Sequence, residues 1–364
     1  MRHALIIAGG SGTRLWPMSR AGLPKQLIPF IGGQSLLQIA FDRLDGLVPA
    51  QNRYICASQQ HAEVIATTLA GFSREQFLGE PVGRDTLNAV GYSAAVIAAR
   101  DPEAVIAVFT ADHIIEPIDE FLAIVEHGFR LAEQQADTLV TFGITPTQAA
   151  TGYGYLQLGA PIDDSARVVE QFKEKPDEAA AREYFAAGPE RYLWNSGMFV
   201  WRAATLLDCI RRYEPANFAG LAQIAAAWPT PQREAVLNEV FPTLKKISVD
   251  FAVMEPASRD PQVCVAAVPM PLQWLDVGSW PMFAETCKTD PAGNALGTQR
   301  TLLVDTRGTL VASDQPGHLI ATIGCEDLII VHTAEATLVC RKDCAEAIKE
   351  LQKQVGERFG NGYV

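Results

Sequence analysis

The chain predicts an α/β protein with a mostly parallel mixed sheet, followed by a small all-β appendage. Three observations carry that prediction. From residue 1 to about 145, short apolar runs alternate with helical patterns, which is the signature of stacked β-α units. The first run, Ala4 to Ala8, passes straight into Gly9, Gly10 and Gly12, a strand followed by a glycine turn. Beyond about residue 290 the helical patterns give way to short β-branched runs at regular spacing.

Taken in order, Leu36, Leu37, Ile39, Ala40 and Leu44 share one broad helical face behind Ser35, a good N-cap. Tyr54 to Cys56 reads as the second strand, followed by a helix from His61 to Ala70. Phe77 to Glu80 is a short strand, and Leu87 to Ala99 an alanine-rich helix. The run AVIAVFT, Ala104 to Thr110, is bounded by Pro102 and Asp112 and reads as a central buried strand. Phe121 to Ala132 is an amphipathic helix and Thr138 to Phe142 another strand. Between about 150 and 290 the pattern loosens into strands at Tyr153 to Leu158, Val168 to Phe172, Leu193 to Trp201 and Val263 to Val268. Helices near Glu178 to Phe185, Ala203 to Arg212 and Leu221 to Ala227 interrupt them, as expected of an insertion that builds a substrate lobe. The turn cluster Asp290-Pro291-Ala292-Gly293 marks the expected boundary, giving domains 1–290 and 291–364. Asp343 to Val355 reads as a helix near the end of the chain.

Bulk properties narrow the classes. A chain of 364 residues is long for a single core. The formal net charge of -12 argues against nucleic acid as a partner, since phosphate-backbone binding needs a broad basic surface. The opening apolar run is too short for a signal peptide, and no stretch approaches the ~18 apolar residues of a membrane span. Seven scattered cysteines suit reduced thiols, hence an expected cytoplasmic location. Cys340 and Cys344 lack the further His or Cys that a zinc site requires, so they read as structural.

Against that acidic background the opening segment has no acid before Asp42 and carries Arg14, Arg20 and Lys25 around its glycines. A glycine turn that presents backbone N–H groups, with cations beside it, suits a polyphosphate. It is not a P-loop, because no lysine follows the glycines at the required spacing. Nor is it a dinucleotide fingerprint, because counting from Gly10 and Gly12 puts Leu15 where the third glycine belongs. A nicotinamide-dependent dehydrogenase is disfavoured on the same ground.

GGSGTRLWPMSR followed by PKQ resembles the signature of the sugar-phosphate nucleotidylyltransferases, and its Leu-Trp-Pro-x-Ser-Arg variant resembles the mannose-1-phosphate guanylyltransferase branch. The resemblance implies a Rossmann-like nucleotidyltransferase domain over 1–290, with a sugar lobe at about 150–290. It also implies a small left-handed β-helix-like domain with a terminal helix over 291–364. By the same resemblance Gly9, Gly10, Gly12, Thr13, Arg14 and Lys25 bind the nucleotide, Arg14 and Lys25 being catalytic.

Further motifs extend the likeness. Asp112 in TADH follows the central strand, where ligands of open α/β sheets gather, and Asp276 lies in WLDVGSW. The two match the family's metal-binding aspartates, with Mg²⁺ the implied cofactor and Asp112 catalytic. Glu80, Gly83, Asp85 and Asn88 fall in the segment resembling the family's base-binding loop. There the chain has Asp85-Thr86-Leu87-Asn88-Ala89 where Asn-Thr-Ala-Pro-Ala is usual. Gly154, Glu174 and Asn195 are implied contacts of a hexose, and Lys175 of its phosphate. Asp250, in SVDFAVME, is expected to cap a helix lining the sugar lobe, and His113 is the one histidine beside the proposed site.

The implied reaction is transfer of GMP from GTP to α-D-mannose 1-phosphate, giving GDP-mannose and pyrophosphate by metal-assisted in-line attack without a covalent intermediate. The alternatives are the same chemistry with another nucleotide or sugar 1-phosphate, and a catalytically silent subunit that binds sugar nucleotides. A homodimer through the C-terminal domain is expected from its exposed strands.

Overall fold

The structure is a computed structural model and describes all residues but Ser11, 30–32 and Ala70. Ser11 of the glycine motif and Ala70, the expected end of the second helix, therefore lie outside the described residues. The first eleven strands, in chain order, are β1 (Arg2–Ile7), β2 (Arg53–Ser58), β3 (Phe77–Glu80), β4 (Val105–Thr110), β5 (His113–Glu116), β6 (Thr138–Ile144), β7 (Tyr155–Pro161), β8 (Arg167–Lys173), β9 (Tyr192–Arg202), β10 (Cys264–Pro269) and β11 (Gln273–Asp276). Packing divides the chain into two units.

The first unit comprises Met1–Gly9, Phe41–Thr110 and Ile115–Trp274. It holds a sheet ordered β3-β2-β1-β4-β9-β6-β10-β8-β7. β1, β2, β3 and β4 are mutually parallel, as are β6 and β10, while β9 runs antiparallel to both β4 and β6. β8 is antiparallel to β10 and β7, so only β8 and β9 oppose the common direction among the described strands. The sheet is thus mixed and mostly parallel. Its central strands are apolar on both faces, as burial between helices demands: Ala4, Leu5, Ile6 and Ile106 through Phe109 are almost wholly inaccessible. Helix Asp85–Arg100 packs there because its alanines and Gly91 admit the side chains of Leu221 and Ile210.

The second unit comprises Gly10–Ala40, Ala111–Ile114 and Leu275–Val364. Seven strands follow β11: β12 (Lys288–Thr289), β13 (Ala295–Gly297), β14 (Thr301–Val304), β15 (Leu310–Ser313), β16 (Ile320–Ile323), β17 (Leu328–His332) and β18 (Thr337–Arg341). β13, β15 and β17 stack in parallel, and β14 stacks in parallel on β16, with Thr301 opposite Ile320 and Leu310 opposite Ile329. These are the rungs of a β-helix-like coil. Buried Asn294 secures one corner by donating to Asp290 Oδ2 (2.9 Å) and the Thr306 carbonyl (2.8 Å) while accepting from the Thr309 amide (2.9 Å).

The sequence boundary at 290 falls inside this second unit. Val277, Trp280 and Phe283 share one core with Leu15, Trp16, Leu310 and Ile329, a grouping that only three-dimensional packing creates. The two motif tryptophans are part of it, since Trp280 Nε1 donates to the Trp16 carbonyl at 2.9 Å. Other differences are local. β5, β11 and helix Arg233–Val240 are too short or too polar to stand out by periodicity. The expected helix at Asp343–Val355 begins as a 3₁₀ turn, Lys342–Ala347, and becomes α-helical over Ile348–Phe359. Among the described residues no helix is long and apolar enough to cross a membrane, and the seven cysteines are unbridged.

Candidate functional site

Two clusters of predicted residues form, one in each unit. In the second unit Gly10 and Gly12 adopt φ of 90° and 59°, and Thr13–Leu15 then closes a 3₁₀ turn, Leu15 donating to the Gly12 carbonyl at 2.8 Å. The turn wraps Lys25: a Cβ on Gly12 would sit 2.8 Å from Lys25 Cβ and 2.8 Å from Ser19 Oγ. Gly12→Ala is therefore expected to lose about 1–2 kcal/mol from its left-handed conformation alone, with the collision in addition. Thermal unfolding against wild type measures the loss, and turnover should fall with it as Lys25 is displaced.

Lys25 is buried, and its Nζ lies 2.7 Å from Asp112 Oδ2 and 3.2 Å from the Val277 carbonyl. The Val277 amide in turn donates to the Asp112 carbonyl at 3.0 Å, which brings Asp276 beside Asp112 across 164 positions of sequence (276 − 112). His113 Nε2 is 3.8 Å from Asp112 Oδ1. One ligand atom from each of Asp112, His113 and Asp276 can be chosen so that all lie within 4.8 Å of one another. Burial drives both carboxyls up, but the charges of Lys25 and His113 outweigh it at Asp112, which is held below its ordinary value. Asp276 stays raised, by burial and then by the Asp112 charge. Two carboxylates crowded this closely suit a hard divalent cation, which would relieve the repulsion between them.

The remaining cations of the glycine segment are committed differently. Arg14 Nε meets Glu346 Oε2 at 2.8 Å in a half-exposed pair, weak enough to be exchanged for a phosphate. Arg20 is drawn away to Glu335 (2.6 Å) and Asp314 (3.9 Å), so it is not part of the cluster.

In the first unit a bulge between β6 and β9 shifts the register from Thr141 opposite Phe199 to Gly143 opposite Asn195, which re-aims the Asn195 side chain. Its Nδ2 donates to Asp250 Oδ1 (2.9 Å), its Oδ1 accepts from Thr141 Oγ1 (2.8 Å), and its backbone amide donates to the Gly154 carbonyl (2.8 Å). Glu174 closes over Gly154, where a Cβ would come within 2.6 Å of Glu174 Oε2. Lys175, in the left-handed region at φ 44°, places its Nζ 3.1 Å from Glu174 Oε1. Gly154, Glu174, Lys175 and Asn195 thus converge with Asp250 and Thr141. Thr141 has no sequence signal. For Asp250 the structure corrects the expectation of a helix cap: Val249 holds the cap position before Asp250–Met254, the Phe251 amide donates to Ser248 Oγ at 3.3 Å, and the Asp250 carboxylate accepts from Asn195.

Burial, then the Glu174 charge, lifts Asp250 from 3.8 to about 7. Glu80, also buried and near Asp85, is lifted from 4.5 to about 7. A carboxyl with a raised folded-state pKa binds its proton more tightly when folded. Its contribution to stability is full below the unfolded value and is lost as pH rises through about 7. Melting temperature is therefore expected to fall from pH 5 to 8, and Asp250→Asn to flatten that fall, as a series of thermal melts would show.

The base-loop residues divide. Glu80 is buried at the end of β3, Gly83 has open space around it, and Asp85 sits at φ 67° with Oδ1 accepting from the Thr86 amide at 2.8 Å. Asn88 is engaged within the protein. It is fully buried, donating to the Arg84 (2.7 Å) and Lys245 (2.8 Å) carbonyls and accepting from Asn217 (2.8 Å), so both its N–H groups are consumed in holding the loop.

Comparison with known proteins identifies the family. The nucleotidyl transferase family model matches residues 3–292, and the mannose phosphate isomerase/GMP-like β-helix domain model matches 299–355. The xanthan biosynthesis protein XanB of Xanthomonas campestris pv. campestris is 36% identical over 96% of this chain and 72% of its own. A mannose-1-phosphate guanylyltransferase of Klebsiella pneumoniae is 36% identical over 95% of this chain and 72% of its own. A crystal structure from Thermus thermophilus, described as a mannose-1-phosphate geranyltransferase, superposes with a TM-score of 0.85 at 31% identity, covering 97% of this chain and 99% of that one. With a family model spanning most of its length and such relatives along nearly all of it, the chain belongs to the nucleotidyl transferase family, in the branch of the mannose-1-phosphate guanylyltransferases.

Proposed function

We propose that the protein transfers GMP from GTP to α-D-mannose 1-phosphate, releasing pyrophosphate, in the cytoplasm. The observation that carries this reading is the meeting of Lys25, Asp112 and Asp276 beneath the glycine turn, within a chain 36% identical to a guanylyltransferase. The turn's backbone N–H groups and Lys25 serve the triphosphate, with Arg14 released from Glu346 to join them. Asp112 and Asp276 are the ligands we assign to Mg²⁺, whose carboxylate-rich preference they meet, and His113 stands beside them. When bound, the cation supplies charge neutralisation between two anionic substrates.

Glu174, Asn195 and Asp250 read hexose hydroxyls through acceptor and amide groups fixed by one another, and Lys175 receives the sugar phosphate. The phosphate oxygen of the sugar attacks the α-phosphorus in line as pyrophosphate departs. No nucleophilic side chain is needed, so rate enhancement rests on positioning and electrostatics. Release of pyrophosphate measured across GTP, ATP, UTP and dTTP with several hexose 1-phosphates, with and without Mg²⁺, tests the assignment. A preference for another pair, or for none, would overturn it.

We also assign self-association to the coil of the second unit. Leu302 (59% exposed) and Val304 (43%) on β14 adjoin Ile323 (79%) on β16, an apolar strip that monomers rarely leave uncovered. Ile323→Asp is expected to shift the sedimentation coefficient from dimer to monomer.

A further inference from the structure

We propose that the first unit carries a second nucleotide-binding site, separate from the residues assigned to the reaction. A cavity of about 640 Å³, within the range of small-molecule sites, opens beside edge strand β3 and helix Arg233–Val240. A second space of about 620 Å³ adjoins it, sharing Arg100, Trp228 and Arg233 in its lining. None of the residues placed in the two clusters or in the base loop lines either one.

The chemistry of the walls is specific. Arg74, Arg100 and Arg233 bring three guanidinium groups to one cavity in a protein of net charge -12, against Glu75 and Glu234. Arg74 is paired with Glu63, but neither Arg100 nor Arg233 has an ion-pair partner among the described residues, and both are exposed. Arg233 instead rests 5.8 Å above the Trp228 ring, a weak hold that a phosphate would replace. Deeper in, Tyr92 is fully buried, lies edge-on to Trp228 at 5.5 Å, and its hydroxyl has no hydrogen-bond partner among the described residues. The Trp228 indole N–H is likewise unpartnered.

A buried hydroxyl and an indole N–H left without acceptors are costly unless a ligand completes them. Aromatic walls with two such donors suit a heteroaromatic base rich in acceptor atoms, and the rim arginines suit its phosphates. That combination is a nucleoside phosphate, with no demand from this cavity for one particular base.

Equilibrium dialysis of the full-length protein against labelled GTP and labelled ATP tests the site. The wild type is expected to bind two GTP per chain at saturation, ATP competing at one of them. Arg100→Glu with Arg233→Glu should weaken that second site at least about tenfold while turnover is unchanged. Tyr92→Phe should weaken it about fivefold and leave the ligand-free melting temperature the same or higher, because it deletes an unsatisfied group. One GTP per wild-type chain, or two retained at full affinity in the double variant, would overturn the proposal. So would loss of both sites and of turnover together.

Discussion

Asp112→Asn is expected to lower turnover by about 10³-fold or more, in pyrophosphate release from GTP and mannose 1-phosphate. Asparagine keeps the shape and an oxygen for Lys25 Nζ, 2.7 Å away in the wild type, so the fold should survive and melt close to the parent temperature. What it removes is a full negative charge from a place where Asp276 stands alongside and Lys25 alone cannot neutralise a triphosphate. The charge left on Asp276 is then single, and affinity for Mg²⁺ should fall with it. Titrating Mg²⁺ at fixed substrate separates the two effects, since a lost ligand raises the metal requirement. Undiminished turnover at ordinary Mg²⁺ would sink the assignment of this carboxylate.

The second large effect is expected at Glu174. Glu174→Gln should lower kcat/KM for mannose 1-phosphate by about 10²-fold, because carboxylate hydrogen bonds to hydroxyls are worth about 1.5–3 kcal/mol each. The KM for GTP should stay near its wild-type value, which steady-state kinetics with each substrate varied in turn will show. The same substitution removes the charge that helps lift Asp250 to about 7. The variant should therefore be more stable than wild type above neutral pH while being the poorer enzyme. That opposition, better folded and less active, is what distinguishes a strained recognition pair from a merely structural one.

Much of this protein is legible along the chain. The β-α alternation follows from apolar runs that must be buried on two faces, and the turn at Gly10 and Gly12 from residues able to take positive φ. Ser35, expected as a cap, does accept from the Gln38 amide at 3.1 Å. Short motifs also name the members of both clusters except Thr141, and of these Asp250 stands in a different local setting from the expected cap. A carboxylate that begins a helix and one that turns to a neighbouring amide look alike in sequence, because the distinction is made by an element 55 residues away.

Long-range packing decided the rest. The segments around Gly12, Asp112 and Asp276 are brought into one unit by a core that unites Leu15, Trp16, Val277 and Trp280 with the β coil. Arg20 and Asn88, polar in a suggestive place, are diverted by partners far along the chain. Local sequence determines which conformations and which chemistry each segment can offer, since backbone preference and charge are properties of a few consecutive residues. Which offers meet is a matter of burial, and burial is settled only when distant apolar surfaces close on one another.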